Sequence, residues 1–130
     1  MAKKEIENRD DVALLVTTFY EEIRKNDEIG FYFNRTITDW PAHMEKLTDF
    51  WEMNLFGGRE YTGNPIEAHN HVDDQFEQKI TPETFGIWLN IWFATIDELF
   101  EGENAEILKR RARKMSTFLY LNLFNNRQEK

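Results

Sequence analysis

The chain has 130 residues, 41% of them apolar and 15% aromatic, with 11 Phe, 4 Trp and 4 Tyr; this suits one domain with an aromatic-rich core. A formal net charge of −8 speaks against nucleic acid and anionic membranes as partners, because both are polyanions. The absence of cysteine excludes disulfides, thiolate catalysis and iron–sulfur clusters, and with no apolar run of signal-peptide or membrane-spanning length the chain reads as soluble and cytoplasmic.

Asn8-Arg9-Asp10-Asp11 offers side-chain oxygens for a helix N-cap, and Val12, Leu15, Val16, Phe19 and Ile23 follow at spacings of three and four. The spacing predicts an amphipathic helix to about Lys25, broken by Asn26-Asp27. Gly30-Phe31-Tyr32-Phe33-Asn34 is short, aromatic and ends in turn-formers, which predicts one or two helical turns. Thr38-Asp39-Trp40-Pro41 starts a second long helix, with a capping side chain and a proline in the first turn, where its missing N–H is not needed. Trp40, His43, Met44, Leu47, Phe50, Trp51 and Asn54 lie along one face of it, and Phe56-Gly57-Gly58 ends it.

A loop rich in glycine follows to residue 66, and a short helix carrying His69 and His71 is expected in the polar stretch from 66 to 80. Thr81-Pro82-Glu83-Thr84 opens a third long helix with Phe85, Trp88, Leu89, Trp92, Ile96, Leu99 and Phe100 at the 3.6-residue period, closed by Gly102. A last helix from about Asn104 to Asn125 is expected to bury Leu108, Ala112, Met115, Phe118, Leu119 and Leu123, with the basic run Lys109 to Lys114 read as a solvated face. No strand pattern or repeat intervenes. The fold class is all-α.

Tyr20, His43 and Trp88 are three donor-bearing side chains on the apolar stripes of three different helices. A buried N–H or O–H without a partner costs roughly 1–3 kcal/mol, so three of them on inward faces fit a shared buried cofactor better than a plain core. Other chemistries fail on spacing. A carboxylate-bridged di-iron bundle needs Glu three residues before its His, but Trp40, Ile66 and Ala68 stand before His43, His69 and His71. A zinc-protease helix needs two His four apart, whereas His69 and His71 are two apart and diverge on a helix. There is no phosphate-binding glycine loop, and a lone Ser116 assembles no nucleophile system. What remains is a single axial imidazole on a haem iron, a role open to His69 and His71 on the residues alone.

Several segments together carry a family resemblance: Phe19-Tyr20, Asp39-Trp40-Pro41-Ala42-His43 with Asp49-Phe50-Trp51, and Tyr61-Thr62-Gly63-Asn64-Pro65 leading to His69. Phe85-Gly86-Ile87-Trp88-Leu89 and Arg111-Ala112-Arg113-Lys114-Met115 complete it. From Asp11 to Tyr120 the chain resembles the truncated haemoglobins, the short two-over-two globins of bacteria, and within them group III. The resemblance implies a single domain over residues 1–130, its core at about 11–124, folded as a two-over-two helical sandwich around haem b (iron protoporphyrin IX). It implies His69 as the iron ligand, four residues after Pro65, with Tyr20, His43 and Trp88 as distal ligand-stabilising residues. Phe33 is implied to pack on the haem, with Leu47, Trp51, His43 and Trp88 as further cofactor contacts.

The ligands implied are dioxygen, carbon monoxide, nitric oxide and similar small molecules, and a reductase is an implied partner. Oxygen storage or delivery, nitric oxide dioxygenation, peroxidase-like chemistry and redox sensing all fit such a pocket, so the residues leave enzymatic activity open. A reading from another class is a cofactor-free helical module whose aromatic grooves bind a partner helix. It predicts a colourless protein.

Overall fold

In the computed structural model, residues 3–57 and 81–128 are described, with side chains as far as residue 122. His69 and His71, the short helix expected around them, and the side chain of Leu123 lie outside the described residues. Five helices make up the described part: α1 (Arg9–Lys25), α2 (Gly30–Thr36), α3 (Trp40–Phe56), α4 (Pro82–Leu99) and α5 (Glu103–Gln128). No helix among them is long and apolar enough to cross a membrane.

Each long helix starts where its capping chemistry dictates. Asn8 accepts from the Asp11 N–H at 3.0 Å to open α1, and acidic residues in the first turn with Arg24 and Lys25 in the last complement the helix dipole. Asp39 caps α3 by accepting from the Ala42 N–H at 3.1 Å, two residues before the Pro41 that sits in the first turn. Thr81 and Thr84 exchange backbone and side-chain hydrogen bonds as a capping box at the start of α4. Gly57 closes α3 with φ of 80°, a conformation that favours glycine.

The central element is α1, which packs on α2, α3 and α4, while α5 packs on α4 and on α3. Its stripe of Val12, Leu15, Val16, Phe19 and Ile23 is fully buried, and that burial, more than intrinsic propensity, holds the helix in place. From there the chain turns sharply: the Asn26 side chain accepts from the Glu28 and Ile29 N–H groups, and α2 crosses so close that a Cβ on Gly30 would lie 2.9 Å from the carbonyl oxygens of Ile23 and Arg24. Arg9 bridges Asp49 at 2.6 Å and Glu52 at 3.1 Å, tying the start of α1 to the second half of α3.

Two features depart from the sequence reading. Phe118, expected in the core, is 54% exposed, because Ala105, Leu108, Ala112, Ser116 and Leu119 define the buried stripe of α5 and Phe118 lies about 100° or more around the helix from its centre. Met115, at the edge of that stripe, is half-buried. The segment before α1 also has structure: Lys4 pairs with Phe100 in an isolated parallel bridge, and the Glu101 N–H donates to the Lys4 carbonyl at 3.0 Å. Beside it the Glu5 carboxylate accepts from the Asn104 and Ala105 N–H groups at 3.1 and 3.2 Å, so the first turn of α5 is capped by a residue from the other end of the chain.

Candidate functional site

Tyr20 stands at the junction of α1, α2, α3 and α4. Its position follows from the stripe of α1: it shares the inward face with Val16 and Ile23, so its ring is driven into the core with 6% of its surface left exposed. Phe33 from α2 meets it edge-on at 5.7 Å between centroids, and His43 from α3 does the same at 5.9 Å. The Trp88 side chain, from α4, stands beside the Tyr20 hydroxyl, where its indole N–H favours the ionised phenol slightly. An indole N–H can only donate, so Trp88 makes no claim on the phenol O–H, which stays available to a further partner.

The electrostatics keep these groups neutral. Burial pushes the Tyr20 phenol well above its ordinary value of 10, against the smaller opposing effect of the Trp88 indole N–H, so it keeps its proton at every physiological pH. Burial also lowers His43 below its ordinary 6.5, with the nearby Lys46 ammonium adding to the effect. The pocket therefore holds a neutral phenol and a predominantly neutral imidazole, both able to donate a hydrogen bond to a small polar ligand.

Behind this cluster lies a ladder of rings. Trp88 stacks on Trp92 at 5.8 Å and Trp92 on Trp51 at 4.6 Å, while Phe19 meets Tyr20, Trp88 and Trp92 edge-on at 4.8, 5.2 and 4.8 Å. Trp92 is fully buried and its indole N–H donates to the Leu108 carbonyl at 3.2 Å, joining α4 to α5. Trp51 is buried in this ladder, and Leu47 is half-buried against the core one turn before it. The structure thus brings Tyr20, Phe33, His43 and Trp88 together directly, and connects Trp51 to them through Trp92.

Both α3 and α4 pack on α1 yet their backbones scarcely approach each other. Met44 and Leu47 on α3, with Trp88 and Leu89 on α4, remain half-buried on the edge of the core. Apolar side chains on diverging helices beside a set of hydrogen donors match the surroundings a flat apolar group with a polar face requires. No group of three or more His, Cys, Asp or Glu suited to a metal ion occurs among the described residues.

Comparison with known proteins places this arrangement. No protein-family model matches the chain. The group 3 truncated hemoglobin ctb of Campylobacter jejuni is 29% identical over 119 residues, which span 88% of this chain and 90% of that protein. The crystal structure of a group III truncated hemoglobin from Campylobacter jejuni superposes with a TM-score of 0.78 at 28% identity, covering 93% of this chain and 94% of the other. The chain is a homologue of group III truncated hemoglobin. It has the truncated-hemoglobin fold, as the sequence resemblance implied, and the helices that carry Tyr20, His43 and Trp88 are part of that all-α framework.

Within this truncated-hemoglobin framework one contributor escaped the sequence reading. Trp40 reads in the sequence as an apolar position of α3 and as part of the segment that carries the family resemblance, with no place in the site, but its ring lies 6.1 Å from that of Tyr20 and 5.9 Å from that of His43, making it a wall of the cluster. The signal was present: Trp40 precedes His43 by three residues and so shares its face of the helix.

Proposed function

We propose that the chain is a haem protein that binds diatomic ligands such as dioxygen, carbon monoxide and nitric oxide. The observation that carries this reading is the Tyr20 hydroxyl: buried, neutral, beside Trp88 and flanked by His43, it leaves a donor hydrogen among the apolar side chains of a truncated-hemoglobin homologue. Haem supplies an iron able to bind diatomic ligands. His69, which lies outside the described residues, is the residue that the resemblance to truncated haemoglobins implies would hold it. Phe33, Leu47 and the ring of Trp88 supply the apolar walls.

The chain's own residues set ligand preference. Tyr20 donates its hydroxyl hydrogen to a ligand that carries partial negative charge, Trp88 offers an indole N–H beside it, and His43 offers a further donor from α3. In a site closed to water each such hydrogen bond contributes about 1–1.5 kcal/mol, and none has to be reorganised when the ligand arrives. Dioxygen, which acquires more negative charge than carbon monoxide, is favoured by the same donors. Oxygen storage or delivery and nitric oxide detoxification both use such a pocket.

The test is an absorption spectrum of the purified protein, before and after addition of haem, in the reduced form with and without carbon monoxide. A Soret band that shifts on carbon monoxide addition, together with loss of haem from a His69→Ala variant, is the expected result. A protein that stays colourless and takes up no haem overturns the reading, and so does a His69→Ala variant with unaltered ligand spectra.

A further inference from the structure

Arg24 plays no part in the pocket chemistry, yet it is held in a defined place. Its Nε donates to the Asn34 side-chain oxygen at 3.0 Å, and the Asn34 amide donates back to the Arg24 carbonyl at 3.1 Å, so the last turn of α1 and the end of α2 fix the guanidinium between them. That guanidinium lies 4.2 Å from the centroid of the Trp40 ring, within the range of a cation–π contact. Trp40 in turn stands nearly perpendicular to His43, at 86° and 5.9 Å, and His43 nearly perpendicular to Tyr20, at 88° and 5.9 Å. Trp40 also lies 6.1 Å from Tyr20, so Trp40, His43 and Tyr20 form a triangle of rings with Arg24 at its Trp40 corner.

Exposure falls from Arg24 through the triangle to Tyr20. Arg24 is exposed, Trp40 and His43 are half-buried, and Tyr20 is buried. Trp40 is also the first residue of α3, where a helix has its least backbone restraint, so its ring depends on side-chain contacts for its position. A half-buried imidazole next to such a ring has an alternative, which is to turn outward into water. Among the described residues, the groups around it are the Tyr20 phenol on α1 and the Trp40 ring and Lys46 on its own helix, and none of these is an anion that would hold it by charge.

We propose that Arg24 is a latch: by pinning Trp40 it keeps His43 turned toward Tyr20, and so closes the solvent side of the pocket and governs how fast small ligands enter and leave. This rests on the pocket reading given above. Arg24 acts through Trp40 and is a positioning residue; it touches no ligand. The unlatched state has Trp40 displaced, His43 turned outward and the pocket open.

The experiment compares Arg24→Ala, Arg24→Lys and, as a control, Lys25→Ala, which removes the neighbouring exposed cation. Two readouts are taken. One is the rate of carbon monoxide association after flash photolysis of the haem-loaded protein; the other is solvent exchange of the Trp40 indole N–H and the His43 titration midpoint, by NMR on the purified chain in its carbon monoxide complex or, if it carries no haem, as isolated. For Arg24→Ala, association is expected to rise about two- to fivefold, as loss of one partly exposed cation–π contact allows. Indole exchange should quicken and the His43 midpoint move up toward its ordinary value. Arg24→Lys should fall between Arg24→Ala and wild type, and Lys25→Ala should match wild type. An Arg24→Ala protein that melts earlier but keeps wild-type indole exchange, His43 midpoint and ligand association overturns the latch while leaving the ligand-binding function intact. Failure to bind haem would strike the function, and the NMR readout would still decide the latch.

Discussion

Tyr20 and His43 are held neutral by burial, and each leaves a measurable trace at the residue scale. Replacing Tyr20 with Phe keeps the ring contacts to Phe19, Phe33 and His43 but removes the donor, so the dissociation rate of dioxygen is expected to rise about tenfold, the equivalent of one hydrogen bond. Stopped-flow displacement by carbon monoxide reads this rate, and an unchanged value removes Tyr20 from the ligand contacts. For His43 the folded pKa lies below the 6.5 of the unfolded chain, so around and below that pH the unfolded chain binds more protons and stability rises with pH. The His43 contribution is complete above 6.5 and is lost as pH falls through the lowered folded value. Urea midpoints measured between pH 7 and 5 should therefore fall on acidification, and a His43→Gln variant should flatten that part of the profile. The carboxylate of Asp11, held below 3.8 by hydrogen bonds from the Glu7 N–H and Lys4 that outweigh its burial, titrates at lower pH and does not overlap this window.

The helices are anchored at their ends by specific side chains, and among these Glu5 is the least local. Glu5→Ala leaves the Asn104 and Ala105 N–H groups without their acceptor and is expected to cost about 1–2 kcal/mol, in the range of other lost caps, seen as a lower urea midpoint at unchanged slope. Gly102, with φ of 126°, admits this contact, since a Cβ there would run into the Glu5 carboxylate. The ends formed by neighbours in sequence were legible in advance: Asn8, Asp39 and Thr81 all cap the helices their spacing announced, because capping is decided within three residues. The Glu5 cap was not legible, since it joins positions about a hundred residues apart and nothing in either segment names the other. Phe118 was misplaced for a related reason: a hydrophobic residue near the edge of a stripe reads as core until the packing of the neighbouring helices fixes where the stripe lies. Tyr20, His43 and Trp88 stood out because donors on apolar faces are costly, whereas Arg24 and Trp40 did not, because their contact depends on how α1 and α3 cross.

At the scale of the whole molecule, the three helices that supply Tyr20, His43 and Trp88 converge on a core whose largest buried rings, Trp92 and Phe19, lie directly behind the pocket. Two of these side chains, Tyr20 and Trp88, are thus mounted against fully buried rings. On the other side, Met44, Leu47, Trp88 and Leu89 retain exposed apolar surface that a bound flat group would cover. Binding that buries this surface only in the folded state must stabilise the fold by mass action: at a haem concentration one hundred times its dissociation constant the gain is about 2.7 kcal/mol, or on the order of 10 °C in melting temperature for a chain of this size. Scanning calorimetry of the protein with and without haem measures it directly. His69→Ala should lose much of the increase if that imidazole holds the iron, and Arg24→Ala should keep it, because the latch controls access to the pocket and not the grip on the cofactor. Equal melting temperatures with and without haem would mean that the apolar edge between α3 and α4 has some other occupant, and the donors around Tyr20 would then have to be explained without an iron beside them.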